Sequence, residues 1–421
     1  MRKRFFLPMA IVLSVAHQAS AQSAPAEQDA RVTALEKQVK DLEASVKALQ
    51  QPSSEGAVKT ATKASLTLSG YVEAFYQWNF NQPSNFITNY RGFDNRHNIF
   101  TIDNVVLDAA GKFDRVSARL ALQVGNTPET YYAAEPVWRA TSGAGPSGPD
   151  VWKFIQQANV GYLAPIGRGL QIDLGIFLSP IGPESLAIKD NFNWSRSNLF
   201  FGLPFYHTGA RATYPLTDRW SVSAMICDGW NSVIDNNVQL SGEGMVTYAV
   251  PDKLTFNFLY FGGVERPQNA PEGTPVRNLF DSNLTYSPTK WFSTILHADA
   301  GFEPNNFGTS GWAAGAVSFR VQPVSWLYLS ARADAFYEWI PSNDLGMATP
   351  IFWGGSHWVS SQTATIDLRP NDNMSFRVEY RHDESEQPIY FAGNVATDAN
   401  GNYVPNTRYQ NTVTAGAVAW F

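Results

Sequence analysis

His297 and Asp299 stand two residues apart in a segment of period-two alternation, so both project from one face of a strand. An imidazole and a carboxylate so placed could bind an ion or orient a base. On a strand face that is polar anyway, the expectation is a solvated pair. The remaining histidines beyond the leader, His97, His207, His357 and His382, stand singly. None has an i, i+4 partner or neighbouring cysteines, so no metal site is signalled. Cys227 is the only cysteine, which excludes a disulfide framework and a thiolate metal site. Residues 143–148, GAGPSG, have the spacing of a phosphate-cradling glycine loop, but Pro149 and Asp150 follow where a helix is required. That stretch reads as a surface loop. No G-x-S-x-G elbow is present, and nothing favours an assembled Ser, His and acid. No catalytic residue, cofactor or metal is therefore assigned. The segment 179–204 differs in kind: Glu184, Lys189, Asp190 and Arg196 stand among Phe192, Trp194, Phe200 and Phe201. Such a segment can pack through its aromatics while presenting mixed charge to whatever passes it.

These residues sit on or between strands. Val116, Ala118, Leu120, Leu122 and Val124 alternate with Ser117, Arg119 and Gln123. Leu170, Ile172, Leu174, Ile176 and Leu178 alternate with Gln171, Asp173 and Gly175. Leu327, Leu329, Ala331, Ala333, Ala335, Tyr337 and Trp339 alternate with Tyr328, Ser330, Arg332, Asp334 and Glu338. Period two means strand, and one apolar face opposite one charged face suits a strand between lipid and a wet lumen. Sixteen candidate strands run from 65–78 to 408–421. The breaks between them alternate in kind. Tight turns are expected at 111–114, 164–168, 216–218, 251–252, 288–289, 322–323 and 370–371. Long polar loops are expected at 79–98, 126–151, 179–204, 231–239, 264–276, 303–310, 340–356 and 384–407. Short turns at one end and long loops at the other are the signature of a membrane barrel. An even strand count lets 408–421 pair with the first strand and abolish both edges.

Composition agrees. Charged residues make up 16% of the 421 and aromatics 14%, a balance that fits aromatic girdles at two membrane interfaces. The mean hydropathy of −0.23 is not that of a helical membrane protein. Arg2, Lys3 and Arg4, the apolar stretch 5–16 and Ala19-Ser20-Ala21 read as a signal peptide over 1–21. Losing those three cations takes the net charge from −6 to −9, which leaves no basic footprint for nucleic acid. Within 22–50, Val32, Leu35, Val39, Leu42, Val46 and Leu49 follow the a/d spacing of a coiled-coil helix and imply self-association. Residues 51–64 read as a linker and 65–421 as the barrel.

The stretches DLGIFLSPIGPE at 173–184, NFNWSRS at 191–197 and PFYHTG at 204–209 resemble the OmpL-like β-barrel porin-2 family. So do DGWN at 228–231, followed by Asp235, Asn236 and Asn237, and LSGYVEA at 68–74. The resemblance covers roughly 66–421. It implies an all-β, antiparallel up-and-down transmembrane barrel in a Gram-negative outer membrane, passing small hydrophilic solutes. The terminal Phe421 resembles the signal read by barrel-assembly machinery. By analogy with sixteen-stranded porins, 179–204 folds inward, making Glu184, Lys189, Asp190 and Arg196 a pore constriction with Arg211 and Asp228 on neighbouring strands. The expected lumen acids are Glu73, Asp103, Asp173, Asp281, Asp299, Asp334, Glu338, Asp367 and Glu379. The expected bases are Arg119, Arg211, Arg320, Arg332, Arg377 and Arg381, giving a modest cation preference. The alternatives are a barrel-anchored structural or adhesive surface protein and, less favoured, an outer-membrane hydrolase.

Overall fold

The structure is a computed structural model and describes residues 64–137 and 147–421. The expected signal peptide, coiled-coil helix and linker up to residue 63 lie outside the described residues, as does most of the 143–148 glycine stretch. The strands are β1 (Ala64–Asn79), β2 (Phe100–Phe113), β3 (Val116–Val124), β4 (Ile155–Ala164), β5 (Leu170–Leu178) and β6 (Tyr206–Pro215). There follow β7 (Trp220–Cys227), β8 (Ser241–Val250), β9 (Leu254–Val264), β10 (Val276–Thr289), β11 (Phe292–Asn305) and β12 (Gly308–Val324). The last are β13 (Leu327–Trp339), the two-residue pair β14 (Ser342–Asn343) and β15 (Gly346–Met347), then β16 (Trp358–Asn371), β17 (Met374–Ser385) and β18 (Tyr409–Trp420). All but β14 and β15 form one closed barrel of sixteen antiparallel strands. Closure is made by β1 and β18, in register from Tyr71↔Trp420 to Asn79↔Thr412. Each strand thus has two hydrogen-bonded neighbours, which a hydrocarbon environment demands.

The alternation read from the sequence is the alternation of burial. On β17, Ser375, Arg377, Glu379, Arg381 and Asp383 are buried, while Phe376, Val378 and Tyr380 are exposed on the outer face. β13 behaves likewise, with Arg332, Asp334 and Glu338 inside. Exposed aromatics gather near both strand ends. Phe113, Trp220, Tyr286, Trp291 and Trp326 mark the turn end, and Phe100, Phe302, Trp339, Trp358 and Tyr409 the loop end. These are the two girdles that the aromatic content called for.

Several boundaries differ from expectation, each for a local reason. The expected loop at 303–310 is a tight hairpin. β11 and β12 pair as far as Asn305↔Gly308, and the Asn305 carboxamide accepts from the Phe307 N–H at 2.9 Å. Gly308 adopts φ +134°, which the hairpin needs and which an L side chain resists. The turns expected at 288–289, 322–323 and 370–371 lie further along the chain. The prolines fall at register shifts within the pairs β10–β11, β12–β13 and β16–β17, where a missing N–H breaks no ladder bond. Another shift, between Glu73 and Ala74 on β1, lets Asp103 and Asn104 both be buried and turns Asp108 inward, a lumen acid absent from the sequence reading.

Candidate functional site within the barrel

The segment 179–204 leaves β5 through Pro180, Gly182 and Pro183, where prolines cannot extend the ladder and Gly182 turns at φ +79°. It then closes on itself. Asn191 accepts from the Ser185 N–H and donates to the Ser185 carbonyl, both at 2.7 Å. Glu184 accepts from the Ser197 N–H at 3.0 Å. Ser197 in turn caps the helical turn α1 (Asn198–Phe201). Trp194, fully buried, lies 6.0 Å from the ring of Phe75 on β1. It rests on Gly416 of β18, where any Cβ would meet the indole at 2.3 Å.

The barrel wall fastens this segment through charged groups that meet its backbone. Glu379 accepts from the N–H groups of Trp194, at 2.5 Å, and Ser195, at 2.9 Å. Glu73 accepts from the Ile188 N–H at 2.6 Å. Arg377 donates to the Asn193 carbonyl at 2.9 Å, and Arg332 to the Ser195 carbonyl at 2.6 Å. Arg332 also pairs with Glu184 at 2.9 Å. Arg381 donates to the Arg196 carbonyl, and Asp334 accepts from the Asn198 N–H at 3.2 Å. The segment therefore lies inside the barrel against β1, β13 and β17. A second loop is held the same way, with Glu338 accepting from the N–H groups of Ile351 at 2.5 Å and Trp353 at 3.0 Å. A third is held by Arg91, which pairs with Asp94 and, at 3.3 Å, with Asp383 of β17.

Toward the loop end these inward segments join a buried apolar cluster. Wall residues Phe177, Cys227, Phe261, Trp312 and Phe336 meet Leu203, Trp353 and Tyr390 from the loops. A share of the aromatic content thus lies inside the barrel as well as in the girdles. Cys227 belongs to this cluster, with its Sγ 3.6 Å from His207 Nδ1.

A cavity of about 490 Å³ remains between the segment and the wall from β1 to β6, lined by Asp108, Arg119, Gln157, Lys189, Asp190 and Arg211. Lys189 pairs with Asp190 at 2.9 Å, Arg119 with Asp108 at 2.5 Å, and Arg211 with Asp173 at 3.3 Å. Of the six residues singled out in the sequence, Lys189, Asp190 and Arg211 share this cavity. Glu184 and Arg196 are turned away from it. Arg196 is buried, donating to the carbonyls of Leu186 and, at 3.0 Å, Trp194, with its guanidinium 5.2 Å from the Phe93 ring. It terminates the segment's own carbonyls, because a buried carbonyl without a donor is costly. Asp228 lies further along the wall, where its N–H reaches the Thr208 carbonyl at 2.9 Å. Burial and the nearby Asp235 hold its carboxyl above the ordinary range. The sequence reading missed Asp108, Arg91, Asp94 and Asp383. Asp383 extends the charged face of β17 two residues past its partner Arg381, and Arg91 meets Asp94 at i, i+3, but the reach of Arg91 across 292 residues to Asp383 is one that no spacing signals.

Three comparisons bear on this arrangement. The outer membrane channel DcaP of Acinetobacter baumannii superposes with a TM-score of 0.50 at 11% identity, over 87% of this chain and 100% of that one. The anion-selective porin from Comamonas acidovorans gives 0.52 at 10% identity, over 85% and 100%. The trimer form of OmpT of Vibrio cholerae gives 0.52 at 9% identity, over 85% and 99%. At such identities these likenesses establish the fold. No curated protein matches the sequence. The model of the family described as "Putative beta-barrel porin-2, OmpL-like" matches residues 65–421, the whole barrel, so the chain belongs to that family of Gram-negative outer-membrane porins.

Proposed function

We propose that the protein passes small hydrophilic solutes by diffusion through its lumen by way of the charged cavity beside the segment 179–204, and that this segment narrows the path. The observation that carries this reading is the charged cavity between that segment and the strands β1–β6, where Lys189 and Asp190 face Arg119 and Arg211. Charged rings at a narrow point filter by size and sign without bond chemistry. Each cation there has an acid beside it, so the selectivity is weak, with the modest cation preference set by the acidic chain. The protein works as a channel and not as an enzyme. It self-associates through the helix expected at 22–50, reaches the membrane through barrel-assembly machinery that reads Phe421, and sits with its outer apolar face in outer-membrane lipid.

The test is single-channel conductance in a planar bilayer, followed by reversal potentials in a salt gradient. Discrete conductance steps with a small cation preference are expected. A barrel that conducts nothing would favour the anchored surface protein, a reading that the apolar cluster at the loop end supports.

A further inference from the structure

On β10 and β11, Asp281 and Asp299 stand directly opposite each other in register. Like charges so placed are unfavourable in a sheet, and both side chains are buried, at 1% and 4% exposure. His297, two residues before Asp299, is 5% exposed, so the pair read from the sequence is not solvated. Its Nε2 lies 2.5 Å from Asp281 Oδ2, and the Asn283 carboxamide donates to Asp281 Oδ1 at 2.9 Å. Asp281 is therefore accommodated, whereas Asp299 is not. Neither of its oxygens has a hydrogen-bond partner, nor does His297 Nδ1. The indole N–H of Trp312, on β12, approaches Asp299 without closing a hydrogen bond. A buried carboxylate with both oxygens unpartnered is costly unless something else neutralises it. One donor atom from each of the three residues falls within 4.8 Å of the others. The inward segment covers them, since a Cβ on Gly182 would come 3.4 Å from His297 Cε1.

We propose that Asp281, His297 and Asp299 form a binding site for a first-row divalent cation such as Zn²⁺. One imidazole and two carboxylates supply borderline and hard donors, the set that suits these ions. The double positive charge offsets both facing acids, whereas the one imidazole beside them contacts Asp281 and leaves both oxygens of Asp299 unpartnered. Three protein ligands leave a coordination position for water or a passing ligand. The Asn283 carboxamide on Asp281 is the kind of outer partner that orients a ligating carboxylate. Seated beneath Gly182, the ion joins two wall strands under the segment 179–204.

The experiment uses the full chain folded in detergent, stripped with chelator, exposed to Zn²⁺ and passed through gel filtration. Wild type should retain stoichiometric zinc and melt at a higher temperature with the metal than without it. Asp299→Asn and His297→Gln should lose both the bound zinc and the rise, while His382→Gln, elsewhere on the wall, should keep both. Heat-modifiable migration shows that each variant is folded. Metal-free Asp299→Asn should melt no lower than metal-free wild type, because the substitution removes the repulsion between facing acids. Wild type that emerges without zinc overturns the proposal. So does zinc retained by Asp299→Asn, or a folded Asp299→Asn that melts well below metal-free wild type. None of these readouts depends on conduction, so failure here leaves the channel reading untouched.

Discussion

The two sides of the lumen use the same residue types for opposite ends. Against β13 and β17, arginines and carboxylates are buried and hold backbone groups of inward segments, as Glu379 holds Trp194 and Ser195. Against β3 and β6, Arg119 and Arg211 stay partly exposed, at 42% and 27% of their side chains, and line a cavity. The difference is dielectric. A charge removed from water must be fully bonded, so it becomes a fastener. A charge left in water keeps a field that a passing ion can feel, and salt can screen it. Side-chain identity therefore does not say which lumen charges select and which ones hold.

The sharpest attempt to break this comparison is Glu379→Ala. Orphaning the Trp194 and Ser195 N–H groups costs about 1–3 kcal/mol each. The segment should come away from the wall, conductance should rise, and proteases should cut within 179–204. Unchanged conductance together with protease resistance would show that the carboxylate is not what holds it. Leu174→Arg comes next. Leu174 is 59% exposed on the outer face, so a charge there should cost about 2–4 kcal/mol if it sits at the bilayer midplane. Asp173→Asn, one residue away on the lumen face, should leave folding nearly unchanged. Denaturant titration into lipid vesicles tests both, and the reverse pattern would mean a register slipped by one residue.

Selectivity should respond less. Arg211→Gln should move the reversal potential toward cations, and the shift should shrink near 1 M salt, where the Debye length is about 3 Å. Arg196→Gln should alter conductance by loosening the segment and leave selectivity nearly as it was. Equal selectivity shifts in the two variants would erase the distinction between fastener and filter. The smallest effect concerns Glu265, just past β9, whose carboxyl is pushed by burial from 4.5 up to about 7. It accepts from the Trp230 N–H at 2.7 Å and the Ser241 hydroxyl at 2.6 Å. A raised folded-state value means that its contribution to stability is full below about 4.5 and is lost as pH rises through about 7. Between pH of about 5 and about 8, the melting temperature of wild type should fall more than that of Glu265→Gln.

Much of the wall was legible because a strand between lipid and lumen has to declare its two faces residue by residue. The alternation of Phe376, Val378 and Tyr380 with Arg377, Glu379 and Arg381 carries over directly into exposure and burial. Prolines misled the placement of turns, since Pro288 and Pro323 sit at bulges that the pattern does not mark. Asp108 was lost to the bulge beside Glu73, which shifts parity on β2. Phe336, on the charged face of β13 between Asp334 and Glu338, was the visible sign of the apolar cluster within the lumen. Its meaning required Trp353 and Phe352, which arrive from another loop.

The sequence by itself determined the strand count, the closed barrel and, except past the bulge on β2, the face that the regularly alternating strands turn to lipid. Those properties are set by neighbours one or two residues away and by the requirement that no backbone group go unpaired in hydrocarbon. The tertiary structure alone decided which lumen charges are free. Arg196 and Lys189 are both cations of one segment, yet one is sealed against its own carbonyls and the other faces the cavity. Glu379 meets Trp194 across 185 residues of chain. Desolvation and pairing at that range depend on how the segment crosses the lumen, and no local spacing encodes it.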